Sequence, residues 1–341
     1  MRTLLFYIII LSFLSSNSFG QDYALSNPFD APILLNPANT GVQYPLRAIL
    51  NYRQQWKSIT NPFTTILASF DSKTFTQSNS GSSLGIGFSL ANDNAGYGNL
   101  NTMNINLHLS GKVMLNDNQT LSLGICGGVM QRSIDINKLT FTDQYDGYSY
   151  NSSIGIGESF ATEKRLVPDI GTGIQWSYGR GAATLSSNDA IGAQLGFAAF
   201  HVNMPNTGFQ EDADKRYIRM VMHGSFSYGI KNTPFQLNPS ALVEMQGPAR
   251  MYFTGLLIKY RLQESSKYTG NLQNRTFNIG VFYRYGDAIT SAIQLEWDMF
   301  VVGFSYDFNI SMLKEISHSR GASEIFIKYI PIKKQLANRL L

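Results

Sequence analysis

Phe300-Val301-Val302-Gly303-Phe304-Ser305-Tyr306-Asp307-Phe308-Asn309-Ile310 is the stretch that decides the fold. Phe300, Val302, Phe304, Tyr306, Phe308 and Ile310 fall on one face of an extended chain, and Ser305, Asp307 and Asn309 on the other. A period of two marks a strand whose faces meet different surroundings. The alternation recurs from Leu46 to Ile330. In one further segment Met103, Ile105, Leu107 and Leu109 alternate with Thr102, Asn104, Asn106, His108, Ser110 and Lys112. Segments of roughly ten residues, aromatic-rich on one side and polar on the other, suit an antiparallel β-barrel standing in lipid around a wet interior.

Working outward, strands are expected at 46–57, 63–72, 82–92, 100–113, 119–131, 168–178, 190–202, 216–229, 235–246, 249–262, 274–284, 288–297, 299–309 and 322–330. The fold class is therefore all-β, a transmembrane barrel of about 14 strands, an even number as bacterial barrels require. The longest gaps, 132–167 and 203–215, follow odd-numbered strands and are read as outer loops. Residues 46–330 form the barrel, 331–341 a basic periplasmic tail. Arg47, Asn51, Arg53, Gln55 and Lys57 share one face of the first strand, and Glu324 and Lys328 one face of the last. A charge facing lipid at the midplane costs about 2–4 kcal/mol, so these face the lumen, balanced by Glu244, Glu296 and Asp307.

Residues 1–20 read as a cleavable signal peptide: Arg2, an apolar run from Leu4 to Leu14 too short to span a bilayer, then Ser18-Phe19-Gly20. Residues 21–45 do not alternate. Asn27-Pro28, Asn36-Pro37 and Tyr44-Pro45 make this an irregular segment, since proline lacks a donor and turns the preceding residue away from helix. No lipid-facing backbone tolerates that, so the segment is a lumenal hatch or a periplasmic collar.

The composition excludes much. A net charge of +4 with scattered basic residues gives no nucleic-acid surface. The lone Cys126 forms no internal disulfide. Four scattered histidines make no zinc motif. Gly85-x-Gly87, Gly155-x-Gly157 and Gly171-x-Gly173 lack the third glycine of a dinucleotide loop and are read as points where strands bend and approach closely in a barrel wall. Asp143 to Tyr148 lacks the ligands of a calcium loop and is read as a surface turn. No catalytic, cofactor-binding or metal-ligating residue is expected, and the protein is read as a non-enzyme.

Several pieces together resemble the PorP/SprF family of type IX secretion system outer-membrane proteins of Bacteroidetes. They are Leu34-Leu35-Asn36-Pro37-Ala38-Asn39-Thr40-Gly41, Tyr52-Arg53-Gln54-Gln55-Trp56, Pro62-Phe63-Thr64-Thr65 with Ser69-Phe70-Asp71, and Pro168-Asp169-Ile170-Gly171-Thr172-Gly173. His201-Val202-Asn203-Met204-Pro205, Phe304 to Asn309 and Gly321-Ala322-Ser323-Glu324-Ile325 complete the ordered set. The resemblance implies an outer-membrane barrel that helps export and hold a large adhesin bearing a C-terminal sorting domain, including adhesins of gliding motility. It implies as partners that adhesin, a peptidoglycan-binding periplasmic lipoprotein, and through them the secretion and gliding machinery. Asn36, Pro37, Arg53, Trp56, His201, Asn203 and Pro205 are the candidate hatch or partner-binding residues. The main alternative is a fatty-acid-transporter-like or porin-like channel for a hydrophobic or small polar solute, with 21–45 as its gate.

Overall fold

Alternating strands bury one face only if the sheet closes on itself, and this one does. The computed structural model describes residues 22–331 apart from 60, 78–80, 156, 158, 159, 161, 182–187, 210–213, 264–274 and 313. The signal peptide, residues 332–341 of the tail and the link 264–274 lie outside the described residues. The strands are β1 Leu46–Gln55, β2 Phe63–Thr76, β3 Ser83–Ala95, β4 Leu100–Asn116, β5 Gln119–Ser133, β6 Lys164–Arg180 and β7 Ile191–Phe200. They continue as β8 Arg219–Gly229, β9 Phe235–Gln246, β10 Ala249–Gln263, β11 Arg275–Arg284, β12 Ala288–Trp297, β13 Phe300–Asn309 and β14 Arg320–Tyr329. Each pairs antiparallel with its neighbours in sequence, and β14 returns to β1 in a register running from Ala48 opposite Tyr329 to Gln55 opposite Ala322. Closure leaves no free sheet edge, which lipid forbids.

The two faces differ as the sequence requires. Leu107 and Leu109 on β4, Leu123 and Ile125 on β5, and Phe304 and Phe308 on β13 are exposed large apolar side chains. Between them Asn104, His108, Ser110, Ser122, Ser305, Asp307 and Asn309 are buried. This inversion of the soluble pattern is a lipid-facing wall. Near one rim aromatic pairs form a girdle: Trp176 with Tyr178, Phe235 with Tyr260, and Phe300 with Tyr329. That rim carries tight links such as Asp117-Asn118 and Asp298-Met299, and there β1 begins and β14 ends. The opposite rim carries the long connections 134–163 and 201–218 and is the outer one by the loop-length rule.

The strand ends depart from expectation at identifiable places. β1 stops at Gln55, not at residue 57, because Trp56 takes a left-handed backbone (φ 58°) that no pleated strand continues. β7 stops at Phe200 for the same reason, with His201 at φ 57°. β6 begins at Lys164, four residues before the expected 168, so its outer stretch outruns β7. Pro168 fits there because it needs no donor on that edge.

Candidate functional site

The lumen is occupied by the chain's own N-terminal segment. Among residues 22–45 one device is used twice. Asn27 accepts a hydrogen bond from the Phe29 N–H (3.3 Å) and Asn36 from the Ala38 N–H (2.9 Å), each capping a single helical turn opened by the following proline. Between them Pro32–Leu35 forms one α-helical turn. Short turns with their own caps let an irregular chain cross the lumen with its backbone groups satisfied. The result is a plug running from Asp22 near the outer rim to Pro45 near the inner one.

The plug's lower half is fitted to the wall. The Asn36 amide donates to the carbonyl of Ile174 (3.0 Å) and lies 3.1 Å from His223 Nε2. Ser110 Oγ donates to the Thr40 carbonyl (2.5 Å), and the Gly41 N–H donates to Asp71 (2.8 Å), itself held by Arg47 at 2.9 Å. Inward glycines clear the space. A side chain at Gly124 would strike the Pro37–Ala38 backbone, at Gly173 the Asn36 amide, and at Gly85 the Thr40 carbonyl. The close approach read at Gly85 and Gly173 is that of the plug, not of a neighbouring strand.

The upper half is held by charge. Asp22 and Asp30 are the only charged residues between 22 and 45, and both meet cations from the wall. Asp22 lies 2.8 Å from His201 Nε2 and 3.4 Å from Arg219, and is bonded by Arg216. Gln246 adds two contacts: its carbonyl accepts from the Asp22 N–H (3.0 Å) and its amide donates to the carboxylate (3.3 Å). His201 Nδ1 lies 2.7 Å from Asp169, so both ring nitrogens face carboxylates. Burial alone would depress the imidazole, but Asp22 and Asp169 outweigh it and raise its pKa above the ordinary 6.5. Burial would likewise raise Asp22, yet Arg216, His201 and Arg219 hold it well below the usual carboxylate range. Further down, Lys328 pairs with Asp30 (2.5 Å), and Glu324 accepts from the Ser26 N–H (2.8 Å). Arg53 and Arg284 share Asp307, at 3.0 and 2.7 Å.

The sequence-predicted residues divide. Asn36 and Pro37 sit in the plug, Arg53 beside it with Nε donating to Ser26 Oγ (3.4 Å), and His201 against its upper end. Trp56 stands at the outer end of β1, edge-on to Phe63 (4.9 Å). Asn203 and Pro205 do not touch the plug through any described hydrogen bond. Asn203 stands in for missing strand: its amide donates to the Pro168 carbonyl (2.8 Å) and its oxygen accepts from the Ile170 N–H (3.2 Å). The Pro205 carbonyl accepts from the Arg216 N–H (2.9 Å), which positions the arginine of the latch. Reading missed Asp22, Asp30, Arg216, Arg219 and Gln246. The signal was there in two acids isolated within an otherwise uncharged segment. On the 143–148 turn, Asp146 accepts from the Tyr148 and Ser149 N–H groups (both 2.8 Å), which lowers its pKa and marks a self-capped turn.

The plug divides the lumen into two vestibules. The outer, of about 650 Å³, is floored by Asp22, Tyr23 and Ala24 and walled by Arg53, Trp56, Phe63, Arg132, Arg216, Tyr217, Arg250 and Arg284. The inner, of about 340 Å³, is lined by Phe29, Asp30, Tyr44, Arg47, His223, Lys259, Glu296 and Lys328. Among the described residues no group of acids, histidines and cysteine is placed to hold a metal ion.

Among solved structures the chain is similar to the Ralstonia pickettii toluene transporter TbuX, with 10% identity, 89% of this chain and 94% of that one covered, and a TM-score of 0.47. It is similar to a Pseudomonas aeruginosa FadL homologue, with 10% identity, 86% and 92% covered, and a TM-score of 0.44. It is also similar to the transport unit of the autotransporter AIDA-I from Escherichia coli, with 13% identity, 91% and 100% covered, and a TM-score of 0.39. No curated protein sequence matches. Residues 17–329 match the family described as type IX secretion system membrane protein PorP/SprF, and the chain belongs to that family.

Proposed function

We propose that this PorP/SprF-family barrel is a non-enzymatic platform that helps export a large adhesin bearing a C-terminal sorting domain and holds it at the cell surface. The observation that carries the reading is the plug, welded below by Asn36, Thr40 and Gly41 and latched above by Asp22. A lumen filled in this way is poorly suited to passing solute or polypeptide, so the barrel acts through the surfaces it presents. Its outer rim offers two long connections, 134–163 and 201–218, the second braced onto the wall. Arg132 donates to the Thr207 carbonyl (3.1 Å) and Arg165 to the Gly208 carbonyl (2.7 Å). Loops positioned by a rigid scaffold are where binding resides. On the inner side the short links face the periplasm, where a peptidoglycan-binding lipoprotein would tether the barrel to the cell wall and to the gliding machinery.

The test is affinity purification of the tagged full-length barrel in mild detergent with mass spectrometry of what accompanies it. The expected result is a very large secreted protein ending in a sorting domain, together with a periplasmic lipoprotein. A barrel recovered alone overturns the reading.

A further inference from the structure

We infer that the outer vestibule binds a carboxylate-bearing extended segment of the exported partner. The inference deepens the platform reading and rests on it. Six basic side chains line this cavity against four acidic ones, and the carboxylates are unevenly committed. Asp22 is taken up by the latch, and Asp93 accepts from Thr65 (2.6 Å). Arg53 and Arg284 converge on the buried Asp307, and each has a second acid, Glu324 at 3.8 Å from Arg53 and Asp287 at 3.3 Å from Arg284.

Three cations have no buried acid of their own. Arg132 rests on the oxygens of Thr207 at 3.1 and 3.2 Å, with only the exposed Asp214 at 4.0 Å, and its buried Nε has no hydrogen-bond partner. Among the described residues, Arg250 and Lys215 have no carboxylate partner. An arginine fork held by one carbonyl and one hydroxyl, with a donor left over, is set to take a carboxylate, since charge-assisted bonds are stronger than neutral ones. Trp56, Phe63 and Tyr285 supply apolar wall between these cations, a mixture that suits a peptide better than a free ion. The cavity volume lies within the range of ligand sites, roughly 300–1,000 Å³. The latched plug closes the floor, so a ligand enters from outside only.

The experiment uses the full-length barrel in detergent micelles and short fluorescein-labelled peptides, with anisotropy as the readout. One peptide carries acidic side chains and a free C-terminus, one is amidated at its C-terminus, and one has its acids replaced by glutamine. The acidic peptide is expected to bind, and Arg250→Glu is expected to weaken it about tenfold or more, the scale of one charged hydrogen-bonded contact. Arg250 is exposed and outside the latch, so this variant keeps the fold; Arg132→Gln is the second. The amidated and glutamine peptides tell a chain-end carboxylate from side-chain carboxylates. Equal binding of all three peptides, no binding at all, or indifference to both substitutions overturns the inference. An adhesin that still co-purifies while the peptide fails to bind removes the vestibule site and leaves the platform standing. A barrel that purifies alone yet binds the peptide does the reverse.

Discussion

The two halves of the plug are held by different physics. From Asn36 to Val42 the chain is fitted by shape: its backbone lies where wall glycines leave no side chain, and its polar groups meet wall carbonyls and hydroxyls at hydrogen-bond distance. From Asp22 to Asp30 it is fitted by charge, through two acids that face His201, Arg216, Arg219 and Lys328. Packing depends little on pH or salt, whereas ion pairs depend on both. One segment thus contains a fixed anchor and a conditional latch, whose Asp22 end floors the outer vestibule.

The largest effect expected separates the halves outright. Asp22→Ala leaves two arginines and a doubly engaged histidine without their shared carboxylate, a loss of about 3–5 kcal/mol for a buried pair. Amide hydrogen exchange read by mass spectrometry is expected to accelerate at 22–30 while 36–42 stays protected. Uniform acceleration along the whole plug would erase the distinction. The converse change is Gly124→Val, whose side chain meets the Pro37–Ala38 backbone and costs about 1–3 kcal/mol by overpacking. Here exchange rises at 36–42, and thermal unfolding comes earlier.

A smaller effect sharpens the contrast by pH. The raised His201 pKa means its share of the latch is fully present below the ordinary 6.5 and is lost as pH rises through the higher folded value. The lowered Asp22 pKa means the opposite: its share is present above the ordinary carboxylate value and is lost as pH falls through the depressed one. Protection at 22–30, taken relative to the intrinsic pH dependence of amide exchange, should therefore pass through a maximum between those limits. Asp169, Arg216, Arg219 and Glu244 surround the pair, and 36–42 should show no such profile. The smallest effect is the control Gly127→Ala, with open space around its Cβ, within about 0.5 kcal/mol of the parent.

How far the sequence could be read follows from the same contrast. The strand alternation is local, so β13 and β4 could be recognised one residue at a time, and the inward charges of β1 and β14 followed from the cost of lipid. The prolines of 21–45 kept that segment out of lipid and left a lumenal hatch or a periplasmic collar; only the fold places it in the lumen. Its contacts were not legible either, because Asn36 meets Ile174 and His223 across the barrel, and Asp22 meets His201 and Arg216 from the far end of the chain. The alternation puts Gly124 on the inward face of β5 and Gly127 on the outward one, but only the plug behind the wall makes the first one necessary. Trp56 and His201 were readable as residues but not as strand stops, since a left-handed backbone at a bulky side chain is set by its surroundings.

The measurement that tests the central claim most directly is the conductance of the purified full-length barrel in planar bilayers, beside a variant lacking residues 22–42. The account predicts that the intact protein is electrically silent and that the deletion opens a steady conductance. An intact barrel that conducts as an open porin does would contradict it.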